Sequence, residues 1–303
     1  MKSRNGFATT IIILIVLALA VIGGIVYIHY VYLPHMTAQN QTSPNTTSTW
    51  IQVPGDSTFG TSDFSVMAYE VRCLSNSSNQ PLITSDFEGS GYHDSTQPCT
   101  GTDRHIASVA TGYPITNVGH DEAINYCQSI GAHLITNQEW MTIADNVAKQ
   151  PENWTGGSVG TGMLFSGVSS PRNLTLSNGS VIWDMAYTQQ IQSDANDTRT
   201  PISASKCSSS GSLGWCEFAK GAGTNPYITS WAPGISATQF APPNSEWNST
   251  QGVGLINVDT FNDGIFFRGG GNGSQVGIFT VDFSHGGSSS AYGGNVGFRC
   301  VQG

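Results

Sequence analysis

Charged residues are scarce in this sequence, and basic residues are the scarcest. Lys and Arg together number 11 and Asp and Glu number 20 among 303 residues, so the formal net charge is −9. Charged residues make up 10% of the chain, whereas a typical soluble domain carries about 25%. This balance argues against nucleic acid as a partner, because no field of Lys and Arg is present to neutralise phosphates. Aromatic residues, at 10% of the chain with 7 Trp, argue against disorder and predict a packed core.

Cysteine pairs of the zinc-binding kind are also missing. None of the cysteines forms a C-x-x-C motif, and their spacings match no zinc template. Their even number favours disulfides, but the sequence alone leaves the pairing open. The cysteines are Cys73, Cys99, Cys127, Cys207, Cys216 and Cys300.

One long uncharged apolar run stands near the N-terminus. From Phe7 to Tyr32 there is no Asp, Glu, Lys or Arg, and a helix of this length would cross a hydrocarbon core of about 30 Å. Lys2 and Arg4 precede the run, which predicts a cytoplasmic N-terminus. We therefore expect a single-pass membrane protein with an extracellular ectodomain. Its segments would be a cytoplasmic leader (1–6), a transmembrane anchor (7–32), a flexible stalk (33–55) and the ectodomain (56–303).

Other interpretations of the N-terminal run stay open. It could be a cleaved signal peptide, with Ala18-Leu19-Ala20 as a small-residue site, or a buried core helix. The short basic leader before Gly6-Phe7 also resembles the cleavage site of type IV prepilins, which would imply a minor pilin-like subunit. A pilin usually has Glu at the fifth mature residue, and this chain has Ile11 there.

The ectodomain shows two helical patterns followed by many short strand patterns. Apolar residues recur at helical spacing over 121–130, and Gly131 follows as a C-terminal glycine would. The second helix begins with a capping box, Thr136-Asn137-Gln138-Glu139. Residues 64–71 alternate as a half-buried strand does, whereas the polar stretch 74–111 is typical of a loop. Only short apolar runs follow the second helix, so the predicted fold class is α+β.

Several segments share the pattern of a known family. They are 64–71, 114–118, 123–127, Gly131-Ala132-His133-Leu134-Ile135-Thr136-Asn137-Gln138-Glu139-Trp140, and the closing segments 267–270 and 297–301. Together they resemble the formylglycine-generating (sulfatase-modifying factor) branch of the C-type lectin fold, over 56–303. The resemblance implies two helices and a loop-rich antiparallel sheet, with the first helix beside the last strand. It therefore implies a disulfide between Cys127 and Cys300, with the other cysteines paired as Cys207 with Cys216 and Cys73 with Cys99.

The resemblance also carries an expectation about catalysis. The enzymes of this family need reactive cysteines in the C-terminal segment to bind copper and oxidise a substrate cysteine. Here the only cysteine after Cys216 is Cys300, which the implied disulfide occupies. We therefore predict no catalytic residues and no enzyme activity, with a residual formylglycine-generating oxidase as an alternative.

The remaining titratable residues show no catalytic pattern. His120 precedes two acids in a first helical turn, where acids are favourable, His133 is expected to pack or to cap, and His285 lies in a Gly/Ser loop that could touch a ligand. No cofactor is predicted. The oxygen-rich residues Asn257, Asp259, Asn262 and Asp263 leave calcium open as an alternative, although Asx turns also explain such a cluster.

The segment 269–292 has the composition of a recognition surface. Phe279, Val281 and Phe283 alternate with polar residues, so on a strand the polar set would face away from the apolar set. Small, polar and aromatic side chains on a rigid apolar backing are typical of antibody loops, and a solvated loop is the plain alternative. The predicted ligand-binding residues are Gly271, Asn272, Ser274, Gln275, Thr280, Asp282, Ser284, His285, Ser288, Ser289, Ser290 and Tyr292.

This segment is also similar to the variable region of C-type-lectin-fold proteins that retroelements diversify. It lies between Arg268-Gly269-Gly270 and Gly297-Phe298-Arg299, and residues 270–292 contain no Lys, Glu, Trp or Met. Such retroelements randomise adenines, often in Asn codons, so Lys, Glu, Trp and Met do not accumulate in the variable region. Gln275 does not fit this pattern. The similarity implies a surface adhesion protein that displays a diversified binding face. Its partner would be a protein or glycan on another cell or on a phage.

Overall fold

The computed structural model describes most of the predicted ectodomain. The described residues are 48–82, 99, 102–116, 118–165, 173–186, 189–191, 206–208, 214–220, 226–231, 236–258, 266–270, 276–283 and 296–303. All of them belong to one folding unit, Thr46–Gly303. The leader (1–6) and the anchor (7–32) lie outside the described residues.

Both predicted helices form, and each is bounded as its local sequence requires. Helix α1 spans His120–Ser129, and Gly131 follows at φ +71°, where glycine has no steric cost. Helix α2 spans Asn137–Ala148. The Glu139 N–H donates to the Thr136 hydroxyl at 3.2 Å, and the Thr136 N–H donates to the Glu139 carboxylate at 2.8 Å. The predicted capping box is confirmed, and it satisfies N–H groups that a helix start leaves unpaired.

The strands are short and spread along the whole described chain. Those before α2 are β1 (Trp50–Val53), β2 (Phe64–Met67), β3 (Val71–Ser75), β4 (Arg104–Ser108) and β5 (His133–Leu134). Those after α2 are β6 (Asn173–Thr175), β7 (Val181–Trp183), β8 (Gln189–Ile191), β9 (Lys206–Cys207), β10 (Trp215–Cys216), β11 (Ile228–Ser230), β12 (Ile256–Asn257), β13 (Phe267–Arg268), β14 (Val281–Asp282), β15 (Val296–Gly297) and β16 (Cys300–Gln302). Single 3₁₀ turns cover Pro151–Asn153, Ala237–Gln239 and Ser249–Gln251.

The first and last strands share one antiparallel sheet. Its order is β1-β2-β16-β5, and Val301 of β16 lies opposite Val66 on one side and His133 on the other. Because β16 is an inner strand, the C-terminal segment is held between two segments from the first half of the chain.

The predicted stalk, 33–55, extends too far toward the ectodomain. Trp50–Val53 form β1, which pairs with β2 from Trp50 opposite Met67 to Val53 opposite Phe64. Val53 is 0% exposed, so this strand contributes apolar surface to the core. The folded unit therefore starts before residue 56.

A second sheet of six strands occupies the C-terminal half and has the order β10-β12-β14-β13-β8-β15. The pairs β12–β14 and β8–β15 are parallel, and the others are antiparallel. Two-stranded ribbons join β3 to β4, β6 to β7 and β9 to β11. Two helices with mainly antiparallel sheets confirm the predicted α+β class. The β3–β4 ribbon replaces part of the loop predicted over 74–111, as Ser75 lies opposite Arg104.

Three disulfides tie these elements together. Cys127 of α1 bonds to Cys300 of β16, Cys73 to Cys99, and Cys207 to Cys216. These are the pairs that the family resemblance implies. Cys127 and Cys300 are both 0% exposed within an apolar cluster that also holds Phe298.

The predicted single-pass topology is not supported. No helix among the described residues is long and apolar enough to cross a bilayer. This finding contradicts the predicted localisation, which placed one membrane-spanning helix between a cytoplasmic N-terminus and an extracellular ectodomain.

The lengths of the closed loops predict how much each disulfide stabilises the fold. The chain-entropy model assigns about 5 kcal/mol to a separation of 173 residues (Cys127–Cys300), about 3.5 to one of 26 (Cys73–Cys99) and about 2.5 to one of 9 (Cys207–Cys216). Paired Cys→Ser variants should lower the free energy of unfolding in this order, measured by urea denaturation. If the Cys127/Cys300 variant lost the least, closure of β16 onto α1 would not be the dominant constraint.

Candidate ligand-binding site

Two of the predicted binding residues are among those that the structure describes, and the larger set, which we call the outside set, is not. The outside set is Gly271, Asn272, Ser274, Gln275, Ser284, His285, Ser288, Ser289, Ser290 and Tyr292. Thr280 and Asp282 are described, and they are 1% and 2% exposed. The prediction that these two side chains face solvent is wrong. Because β14 lies between β12 and β13 in the sheet, and Phe279, Val281 and Phe283 are buried too, this segment is covered on both faces.

Residues 266–270 and 276–283 lie on either side of 271–275 and directly before 284–292, and we call them the loop frame. Arg268 holds this frame from the inside and is 0% exposed. Its guanidinium donates to Asn137 Oδ1 at 3.1 Å and to the carbonyl oxygens of Gln239, Phe240 and Phe279 at 3.2, 3.3 and 3.0 Å. Burial lowers the pKa of Arg268 to about 9, so the group stays protonated at neutral pH. Neutral oxygens replace its hydration shell, as burial of a charge requires.

The first turn of α2 supports the same frame. The Trp140 indole N–H donates to the Ile278 carbonyl oxygen at 2.7 Å. Gly269 has φ +81°, and a Cβ there would lie 2.1 Å from the Met185 carbonyl oxygen and 3.1 Å from the Trp140 ring. Only glycine fits such an approach, so the chain turns tightly over the ring.

The frame is also bonded along its length to the segment before β13. The N–H groups of Phe279, Val281 and Phe283 donate to the carbonyl oxygens of Val253, Leu255 and Asn257 at 3.1, 3.1 and 3.3 Å. A Cβ on Gly277 would lie 2.2 Å from the Val253 carbonyl carbon. The frame is therefore a fixed base from which the segments 271–275 and 284–295 depart.

A group of buried charges at β16 was not found from the sequence. Arg299 is 0% exposed, and it donates to the carbonyl oxygens of Met67, at 2.9 Å, and Trp183. Burial lowers the pKa of Arg299 to about 10, against the opposing charges of Glu70 and Asp184. The family-like segment 297–301 was the only sequence signal for Arg299. The burial of these charged groups makes them structural.

Only one of the four calcium candidates is among the described residues, so the calcium alternative stays a prediction. Asn257 is 5% exposed and belongs to β12, whereas Asp259, Asn262 and Asp263 lie outside the described residues. Within the described ranges, no group of three or more His, Cys, Asp or Glu could hold a metal ion.

The histidines have separate surroundings. His133 Nε2 lies 2.8 Å from Glu139 Oε1, so His133 joins β5 to the capping box of α2. His120 Nδ1 lies 3.3 Å from the Asp121 carboxylate. The structure therefore does not bring His120 and His133 into one acid–base cluster, and His285 lies outside the described residues.

A family comparison covers most of the chain. The model of the sulfatase-modifying factor enzyme 1-like domain matches residues 34–303. The chain belongs to this family. No curated protein matches it.

The cysteine chemistry of this sulfatase-modifying factor-like chain is simple. The sequence has 6 cysteines, and all are joined in the three disulfides, so no free cysteine is left. Reactive thiols are the groups that would bind copper or act as nucleophiles. In this structure each of the six is bonded to another cysteine.

The His133–Glu139 contact predicts a pH-dependent term in the stability. Hydrogen bonding to Glu139 raises the pKa of His133 above its ordinary value of 6.5, against desolvation. A histidine whose folded pKa is raised stabilises the fold below the unfolded pKa, and this term is lost as pH rises through the folded pKa. In the native chain, the free energy of unfolding in urea should therefore fall between about pH 5.5 and about pH 8.5, a range that brackets the titration of a histidine.

The variants His133→Gln and Glu139→Gln should each flatten this pH dependence. Glutamine at 139 keeps the capping box, so it removes the charge without removing the cap. An unchanged slope in both variants would contradict the assignment to His133.

Proposed function

We propose that this sulfatase-modifying factor-like protein binds a macromolecular ligand and does not oxidise thiols. The observation that carries the proposal is the pairing of every cysteine in a disulfide. Copper binding and oxidation of a substrate cysteine would need thiolates. Cys300, the last cysteine, is buried against Cys127, where it has a structural function.

We also propose that the fold is of the C-type lectin kind. In support, the terminal strands β1 and β16 share one sheet. The helix α1 is joined to β16 by a disulfide. The second sheet is built from short strands, and in such a fold the segments that join the strands are where ligand-binding residues usually lie.

The ligand would bind to residues of 271–275 and 284–292, without Thr280 and Asp282. The support is the loop frame, because its hydrogen bonds to Asn137, Trp140 and the 253–257 segment fix both ends of 271–275. A fixed base lowers the entropy that a loop loses on binding. The partner would be a protein or a glycan.

Diversification by a retroelement is the more specific form of this proposal. Its support is the composition of 270–292, which lacks Lys, Glu, Trp and Met, together with the position of the segment between Arg268-Gly269-Gly270 and Gly297-Phe298-Arg299. A near-copy of the coding segment beside a reverse transcriptase gene would identify such a system.

A residual oxidase is the second candidate, and the family match favours it. Measurements of free thiols and of cysteine oxidation distinguish the two candidate functions. We expect thiol titration of the unfolded, unreduced chain to find no free thiol. We also expect no formylglycine, by mass spectrometry, when the protein is incubated with Cu(I), oxygen and a cysteine-containing peptide. Formylglycine above the level of a copper-only control would establish the oxidase instead.

The binding segment should tolerate substitutions that the frame does not. If these residues form the binding surface proposed here, alanine at Ser288, Ser289, Ser290 or Tyr292 should each change the free energy of unfolding by less than about 0.5 kcal/mol, because surface substitutions usually have effects of that size. Arg268→Met should lower it by about 3 kcal/mol or more, because several buried carbonyl oxygens lose their donor.

The control is Lys220→Met, which removes the charge of an exposed residue, and substitutions at the surface usually change the free energy of unfolding by less than about 0.5 kcal/mol. If the alanine variants lost as much stability as Arg268→Met, the segment would belong to the core. The proposed location of the binding site would then be wrong.

A further inference from the structure

A cavity of about 480 Å³ opens at the end of the β3–β4 ribbon. Its lining includes Ser75 at the end of β3, Arg104 at the start of β4, and Leu82. Small-molecule sites in proteins have volumes of about 300–1,000 Å³. The cavity is therefore large enough for a small organic ligand.

Paired segments of the chain place these three side chains in a row. Ser75 lies opposite Arg104 across the ribbon. On the other side of β3, the chain continues into an antiparallel bridge, and the Leu82 N–H donates to the Cys73 carbonyl oxygen at 2.9 Å. Opposed residues share a face of a sheet, as do residues two apart on a strand. An apolar group, a hydroxyl group and a cation therefore follow one another across this face.

The cavity also carries one charge of each sign. Arg104 Nε lies 3.8 Å from Asp103 Oδ2, and both residues line the cavity. A ligand with only a negative charge would meet the Asp103 carboxylate, and one with only a positive charge would meet the Arg104 guanidinium. Since like charges in contact are unfavourable, this pair suits a ligand that carries two opposite charges side by side.

The rim of the cavity is held in place by hydrogen bonds. The Asn76 N–H donates to the Asp103 carbonyl oxygen at 2.9 Å, and the Asn76 side-chain amide donates to the Thr102 carbonyl oxygen at 2.9 Å. The hydroxyl oxygens of Ser75 and Ser77 lie 2.8 Å apart. A site whose walls are fixed in this way loses less conformational entropy when a ligand binds.

We propose that this cavity binds a free α-amino acid with an apolar side chain. The carboxylate would bind to the Arg104 guanidinium, whose N–H groups form a fork of donors, and the ammonium group would bind to the Asp103 carboxylate. Both charged groups of an α-amino acid are attached to one carbon atom, which suits two protein charges 3.8 Å apart. The apolar side chain would lie across Ser75 and cover Leu82, which is 41% exposed. The site uses no residue of 271–292, so it is independent of the function proposed above.

The test is a titration of the full chain with L-leucine, followed by the backbone amide signals in ¹H–¹⁵N spectra. We expect the signals of Asn76 and Leu82 to shift with a dissociation constant of about 5 mM or lower. N-acetyl-L-leucine lacks the ammonium group and L-leucinamide lacks the carboxylate, so each should bind at least about tenfold more weakly. Glycine lacks the apolar side chain and should also bind about tenfold more weakly.

Variants of the lining should weaken leucine binding in a defined pattern. Arg104→Gln and Asp103→Asn should each weaken it about tenfold or more, and Leu82→Ser about threefold. The matched controls are Glu152→Gln and Met163→Ser, which make the same kinds of change at exposed residues outside the cavity lining. Both controls should leave the affinity unchanged. Urea unfolding checks that each variant is folded, and the 78% exposed side chain of Asp103 makes Asp103→Asn the variant least able to disturb the fold.

Three results would overturn this assignment. The first is the absence of any shift at about 20 mM leucine, a concentration that detects millimolar affinity. The second is binding of N-acetyl-L-leucine or L-leucinamide as tightly as leucine, since one charge would then suffice. The third is a control variant that weakens binding as much as Asp103→Asn, because the ligand would then bind elsewhere. Each of these results leaves the thiol and tolerance tests of the proposed function unaffected.

Discussion

A buried guanidinium whose hydrogen bonds go to neutral oxygens sets the geometry of the C-terminal third of the chain. Desolvation is what lowers the pKa of Arg268, and burying a charge is costly unless its hydration is replaced in full. Asn137, Gln239, Phe240 and Phe279 must therefore present their oxygens to one planar group. A lysine could not satisfy this fork of acceptors. The residue fixes the relative positions of α2, the 236–241 segment and the loop frame.

The first turn of α2 is the junction through which this constraint spreads. Asn137 reaches Arg268, Glu139 reaches His133 on β5, and Trp140 reaches the Ile278 carbonyl oxygen. Three side chains of one helical turn therefore contact both sheets and the loop frame. The disulfide of Cys300 also holds the strand that pairs with β5, so α1 is linked to this junction through β16 and β5.

The sequence predicted those elements whose ends depend on a few neighbouring residues. The capping box at Thr136 and the glycine at 131 depend on a few neighbouring residues, and both form as expected. Alternation in the strand at β14 also exists, but it could not reveal that Thr280 and Asp282 are buried. Period-two patterns distinguish two faces, whereas only the neighbouring strands and their packing decide whether the second face meets solvent. The pairing of β1 with β2 is likewise non-local. The polar residues that precede Trp50–Val53 therefore led to the prediction of a stalk where a strand forms.

Several of the few charged residues of this protein lie in its core. Glu70, Arg72, Asp184, Arg268 and Arg299 are each at most 4% exposed, in a chain where only 10% of residues are charged. A notable part of its charge is therefore used in the core, where it orders backbone carbonyls and opposite charges. Arg268 and Arg299 each collect carbonyl oxygens from separate segments of the chain. The few charges of this protein therefore contribute to the order of its interior, where a guanidinium can replace several neutral donors at once.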